Sequence, residues 1–174
     1  SCMGYEIAGA IGVKMALPHR EVVVAMGDGS YLMMNSEIAT AVMLGIKLTI
    51  VINDNRGFGC INRLQMATGG ASFNNLLRDA RHERLPEVDF VAHAASMGAE
   101  AVKVASLAEL ETAFLAARTK TGVQVIVIDT DPIASTDAGG FWWDVAVPQV
   151  SARPQVEAAR KAYEDALPRQ RLGD

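Results

Sequence analysis

Only two cysteines and three histidines occur among the 174 residues, and that scarcity removes whole classes of chemistry. Cys2 and Cys60 have no histidine partners at zinc-ligand spacing, and His19, His82 and His93 are scattered over separate segments. Isolated thiols fit a reducing compartment, so a cytoplasmic location is expected. No apolar run approaches the roughly 20 residues needed to cross a bilayer. No basic segment followed by a short apolar one opens the chain, so no secretory signal is visible. Positive charge is also in short supply. Lys and Arg number 16 against 20 Asp and Glu, giving a net charge of −4 and a pI near 5.4. That balance argues against nucleic acid or an anionic membrane as the main partner.

What is present is a soluble globular composition, 50% hydrophobic and 21% charged. Residues 1–174 fit one domain with a sizeable core. The chain opens at Ser1 without an initiator methionine and runs at once into a helix-like stretch, so it reads as a piece excised from a longer protein.

Gly4 to Met15 has the small residues of a helix that packs closely on a sheet, stopped by Pro18. Residues 21–26 (EVVVAM), 47–52 (KLTIVI) and 122–129 (GVQVIVID) are apolar and β-branched, the pattern of strands buried on both faces. A helix is expected from about Met34 to Leu44, closed by Gly45. Another is expected near Asp89–Met97, followed by a short strand at Ala101–Val104. Ser106 and Glu109 form a capping box for the next helix, and a last helix falls near Arg153–Ala166. Residues 66–88 read as a long surface loop, a feature often functional in compact domains. The expected fold class is α/β, a mostly parallel central sheet with helices on both faces. No internal repeat is apparent.

In such sheets ligands bind beyond the carboxyl ends of the strands. Gly27-Asp28-Gly29 and Asn53-Asp54-Asn55 both fall at such ends. A glycine-flanked turn lets main-chain N–H groups approach phosphate oxygens. Here an aspartate sits between the glycines, and a carboxylate repels a diphosphate unless a divalent cation stands between them. Asp28 is therefore a metal-ligand candidate, with the Asn55 amide oxygen as a second hard ligand on the neighbouring strand end. Magnesium wants six oxygens and readily keeps water among them. Taken singly, an aspartate satisfied by its own turn explains Asp28 equally well, and a turn residue explains Asn55 better than ligation does. The combination shifts the balance. A Rossmann site fits poorly, because the third glycine position is Leu32, and no G-K-[ST] is present for a Walker loop.

Gly27-Asp28-Gly29-Ser30 followed by Asn53-Asp54-Asn55 resembles the GDG…N signature of thiamine diphosphate enzymes. The stretch Cys2-Met3-Gly4-Tyr5 to Ala10-Ile11-Gly12 resembles what precedes that signature in acetohydroxyacid synthase and its relatives. The runs SCMGYEIAG, GDGSYLMMNSEI and GFGCINRLQM, with Trp142-Trp143, are most similar to the trihydroxycyclohexane-1,2-dione hydrolases of inositol catabolism. The resemblance implies the thiamine-diphosphate-binding fold, thiamine diphosphate and Mg2+ as cofactors, and Asp28, Asn55 and the Gly57 carbonyl as metal ligands. It implies that Gly27, Gly29 and Ser30 hold the diphosphate, that Phe58 and Gly59 line its channel, and that Met3 props the bent cofactor. It also implies what is missing. The activating glutamate belongs to a pyrimidine-binding domain outside this chain, usually of another subunit, so a homo-oligomer is expected and the chain alone should not catalyse. The implied reaction is hydrolysis of a C–C bond in a cyclic polyol-dione. A carboligase or decarboxylase of the acetohydroxyacid synthase type, and a non-catalytic phosphate-binding module, remain open.

Bland readings suit the other conspicuous residues. Glu37 reads as solvated or capping, Cys60 as a small buried hydrophobe and His82 as surface. His93 belongs on a helix face, Met33, Met34 and Met43 in the core, and the two tryptophans against the body.

Overall fold

A computed structural model describes residues 2–134 and 147–169. These form two compact units, residues 1–58 with 82–132 and residues 59–81 with 133–174.

The first unit is built on a four-stranded parallel sheet in the order β1-β2-β4-β3, with β1 Val23–Gly27, β2 Leu48–Asp54, β3 Glu100–Val104 and β4 Val123–Asp129. The central strands β2 and β4 pair in register from Leu48 opposite Val123 to Asp54 opposite Asp129. Side chains alternate across a sheet with period two, and the two faces are covered by different helices. Leu48, Ile50, Ile52, Val123, Val125 and Val127 face the larger core, together with Ile7 and Ile11 of α1 (Glu6–Ala16), Tyr31 of α2 (Asp28–Met33), Ile38 of α3 (Glu37–Met43) and Phe90 of the helix Phe90–Ser96. Ile126, Ile128 and Val104 face the other way, against Leu110, Ala113 and Phe114 of the helix Leu107–Thr119. The α/β fold with a parallel sheet covered on both sides is as expected. The capping box is met in its first half: the Ser106 hydroxyl accepts from the Glu109 N–H at 3.2 Å, while the Glu109 carboxylate accepts from the Ala105 N–H, one residue before the cap, at 2.9 Å.

Three expectations change. β1 is an edge strand, and its burial alternates: Val24 and Met26 are inside while Val23 and Ala25 are exposed. A run of valines is consistent with a strand but does not reveal that a neighbour is absent on one side. The helix expected from about Met34 to Leu44 is α3, which starts at Glu37, and a further short helix, α2, precedes it and ends where Met34 leaves helical geometry at φ −151° and ψ 56°. Met33, Met34 and Met43 are 52%, 43% and 78% exposed rather than core.

In the second unit the helix α4 (Gly59–Ala67) occupies a segment for which the sequence suggested no element. Numbering in chain order continues with Phe90–Ser96 as α5, Leu107–Thr119 as α6 and Pro154–Ala166 as α7. Residues 68–88 contain a single 3₁₀ turn, Leu77–Asp79, and are otherwise irregular, with Leu76 buried and residues 81–88 exposed. Cys60 is exposed, because α4 turns Gly59 and Asn62 inward instead. Trp142 and Trp143 lie outside the described residues.

Candidate metal and cofactor site

β1 and β2 pair in parallel with Gly27 opposite Asn53, so the next residues of both strands emerge side by side at one edge. Asp28 begins α2 directly after β1, and Asn55 directly follows β2. Asp28 is 4% exposed. Each of its carboxylate oxygens is held by the facing turn: Oδ1 accepts from the Asn55 N–H at 3.2 Å and Oδ2 from the Gly57 N–H at 2.8 Å. Burial pushes the Asp28 carboxyl above its ordinary value, against the pull of those two N–H groups, and the Asp54 carboxylate adds to the rise.

The turn that makes these contacts has an unusual backbone. Arg56 has φ +60° and Gly57 has φ +147°, conformations that cost a non-glycine residue free energy and collect at functional sites. Asp54, buried at 5% exposure, supports the turn by accepting the Arg56 N–H at 3.1 Å. Three successive N–H groups, of Asn55, Arg56 and Gly57, thus point at two carboxylates. Asp54 was not singled out in the sequence. Its signal was the Asx-turn preference of an aspartate two residues before the donor.

The same turn gathers oxygens. The Asn55 amide oxygen lies 2.9 Å from the Gly57 carbonyl oxygen and 3.2 Å from Asp28 Oδ1. Three acceptors facing one another are compatible in two ways. A half-turn of the amide places its NH₂ as donor to both oxygens. A cation among them serves equally well, and the donor set of one carboxylate, one amide and one main-chain carbonyl suits a hard ion. Among the described residues no three His, Cys, Asp or Glu side chains converge on a metal site, so the ligand set has to be sought in amide and carbonyl oxygens.

Of the remaining expected residues, those of α2 and Phe58 are arranged around this triad. Gly29 and Ser30 are buried in the first turn of α2, and Gly27 is half-buried before it. A Cβ at Gly29 would meet the Phe58 ring at 2.5 Å and the Gly57 carbonyl oxygen at 3.2 Å. Glycine is required there because the ring closes over it. Met3 is not brought to the triad. It is half-buried ahead of α1, beside Gly4, whose added Cβ would stand 3.0 Å from the Cβ of Met33 at the far end of α2. Six residues make a helix about 9 Å long, so Asp28 and the Met3 segment mark its two ends. Glu37 is half-buried in the first turn of α3 and His82 is exposed. The groove of about 510 Å³ along α1 and β1 includes none of these residues.

Comparison with known proteins agrees with the geometry. The profile of the family described as "Thiamine pyrophosphate enzyme, C-terminal TPP binding domain" matches residues 1–128. A 3D-(3,5/4)-trihydroxycyclohexane-1,2-dione hydrolase of Geobacillus thermodenitrificans is 40% identical over 173 residues, 96% of this chain and 27% of the relative. One from Bacillus cereus is 41% identical over 165 residues, 91% of this chain and 26% of the relative. The chain therefore spans about a quarter of the length of the curated relatives it matches. Among solved structures, the Rhodococcus jostii thiamine diphosphate-dependent 4-hydroxybenzoylformate decarboxylase superposes with TM-score 0.65 at 25% identity, over 74% of this chain and 23% of the other. Benzoylformate decarboxylase from Polynucleobacter necessarius gives TM-score 0.63 at 28% identity, over 76% and 24%. The strand-end carboxylate, its facing turn and the match over residues 1–128 lead to one assignment: this chain belongs to the C-terminal, cofactor-binding domain family of thiamine diphosphate enzymes.

Proposed function

We propose that the domain supplies the diphosphate- and magnesium-binding half of a thiamine diphosphate-dependent hydrolase, one that opens a cyclic trihydroxy-1,2-dione by C–C cleavage in inositol catabolism. The observation that carries the cofactor reading is the convergence of the Asp28, Asn55 and Gly57 oxygens. Around an ion with bonds of 2.0–2.1 Å, adjacent ligands of an octahedron stand about 2.9 Å apart. The separations of 2.9 and 3.2 Å are close to that edge. The choice of reaction rests on the names of relatives 40% and 41% identical over nearly the whole chain.

In this reading Asp28 contributes the charge that offsets the metal, and Asn55 and Gly57 complete the protein's share of the shell. Gly27, Gly29 and Ser30 leave the diphosphate access to main-chain and hydroxyl donors. The Phe58 ring covers Gly29 and keeps water from that side. The cofactor, when bound, serves as the electron sink for the bond being broken. The group that activates it is a glutamate on a pyrimidine-binding domain, contributed by another subunit of a homo-oligomer. The exposed side chains Tyr5, Leu32, Met33 and Met34, with Gly4 set against Met33 and Met34, are the surface we assign to that domain. A cytoplasmic location accompanies the reading, supported by the exposed, unpaired Cys2 and Cys60. No described helix is long and apolar enough to cross a membrane.

A decarboxylase of 2-oxo acids is the second reading, favoured by the two superposed structures. Turnover by the full-length protein, with magnesium and thiamine diphosphate, separates the two. Ring opening of the cyclic dione is expected. Release of carbon dioxide from benzoylformate or pyruvate, with no action on the dione, would replace the first reading by the second.

A further inference from the structure

Tyr31 roots the helix that carries Asp28. With six residues, α2 is too short to hold its shape unaided, and Gly27 gives it no side-chain cap. Leu32 and Met33 are 50% and 52% exposed, whereas Tyr31 has no exposure at all. It is the large side chain by which α2 enters the core. Its ring meets Phe90 edge-on, with centroids 5.5 Å apart and planes at 87°, and meets His93 likewise at 5.6 Å and 76°. Its hydroxyl lies 2.8 Å from His93 Nδ1. Burial pushes the phenol up to about 12, so the hydroxyl keeps its proton. With a neutral imidazole it donates to Nδ1, and the ring proton then sits on Nε2.

We propose that the Tyr31–His93 hydrogen bond is a positioning contact for the metal site, fixing the roll of α2 and with it the direction of the Asp28 carboxylate. Asp28 and Tyr31 are three residues apart, neighbours on one helix face. The Asp28 oxygens are held at 3.2 and 2.8 Å by N–H groups of the facing turn, and the turn's own oxygens lie within the same few ångströms. A small roll of α2 lengthens one of those bonds and draws the carboxylate away from the Asn55 and Gly57 oxygens. Packing of the buried Tyr31 ring fixes where α2 sits in the core. A directional bond at the far end of the side chain resists the roll. His93 lies on α5, which is docked on the sheet through the buried residues Phe90 and Ala94, so the bond refers the site helix to the rigid body of the domain. The inference rests on reading Asp28 as a magnesium ligand.

The test is a calorimetric titration of magnesium into the full-length protein with thiamine diphosphate present, read beside the thermal midpoint. Tyr31→Phe keeps the ring and deletes the hydroxyl. It should raise the magnesium dissociation constant about fivefold, the effect of one lost hydrogen bond. His93→Leu should do the same, and the double variant should be no worse than either, because both remove one contact. His93→Asn, which offers an amide oxygen near the position of Nδ1, should recover most of the loss. Parental magnesium binding in both Tyr31→Phe and His93→Leu, whatever happens to the midpoint, would reduce the contact to core packing and overturn the proposal. No magnesium-dependent cofactor binding by the parent itself would instead strike down the site reading, and this inference with it.

Discussion

The turn at residues 53–58 and the segment that follows it, residues 59–81, are consecutive in the chain yet are held by opposite kinds of contact. The turn is fixed by partners 27 to 29 residues away, Asn53 to the Met26 carbonyl and the Asn55 and Gly57 N–H groups to Asp28. The segment is tied mostly to itself. Asn75 donates to the Gln65 side chain at 2.7 Å, Ser72 to Asn62 at 2.9 Å, and Gln65 and Ser72 reach Ala71 and Asp79. Its apolar anchorage is thin: in the whole second unit the buried hydrophobics among the described residues are Leu76, Val147 and Val156. The first unit is a packed sheet, the second a set of polar ties, and each should fail in its own way when cut.

The largest effect is expected in the sheet. Ile50 has no exposure and lies in β2, between β1 and β4. Ile50→Ala should lower global stability by about 4 kcal/mol through lost burial and the cavity left behind. Urea unfolding with unchanged slope would record it, and a loss below about 1 kcal/mol would show that the core is not where the sheet places it. Next comes Gly69, with φ +83°, where a Cβ would lie 2.4 Å from the Gln155 carbonyl oxygen. Backbone cannot step aside cheaply, so Gly69→Ala should cost roughly 2–4 kcal/mol. That cost should be local. Hydrogen exchange should quicken in 59–81 and at the start of α7 while β2 and β4 stay protected. Equal loss of protection in both units would erase the distinction between them.

A smaller effect on stability, and a sharper one on function, is expected at Gly29. Gly29→Ala must displace the Phe58 ring. The thermal midpoint should fall by a few degrees, about 1 kcal/mol of overpacking, while cofactor affinity drops about tenfold or more. Unaltered affinity would remove Phe58 from the site. The smallest effect belongs to Glu100, whose carboxyl is held below its ordinary value first by the hydrogen bond from Lys120, then by Gln124. A depressed carboxylate stabilises above its unfolded value and loses that contribution as pH falls through the lowered one. Lys120→Met should therefore lower the midpoint at pH 7 by no more than about 2 °C, as for an exposed pair. The difference from the parent should shrink on acidification; a difference that grows instead would reverse the sign of the linkage.

The contrast between the regions also explains what the sequence disclosed. The β1 and β2 runs announce themselves because they are apolar and β-branched, and the residues just past them stand together once the strands pair in parallel. Asp28 and Asn55 were legible for that reason. The backbone at Arg56 was not, since nothing in an arginine signals φ +60°, and Asp54 carried only a turn preference. α4 was missed because its inward residues are Gly59 and Asn62, so no apolar stripe marks the helix. Met33 and Met34 at the end of α2, and Met43 at the end of α3, were misassigned to the core for the opposite reason. Their apolar character was plain, but its purpose on an exposed helix end was not encoded in spacing.

The central claim is that Asp28, Asn55 and Gly57 hold a magnesium ion that brings the cofactor's diphosphate to the strand ends. Magnesium titrated calorimetrically into the full-length protein in the presence of thiamine diphosphate tests it directly. Asp28→Ala should abolish magnesium-dependent cofactor binding, since it removes the only formal charge among the three ligands. Asn55→Ala should weaken it less, and both variants should keep the parent's far-ultraviolet circular dichroism. Parental binding by Asp28→Ala would contradict the account.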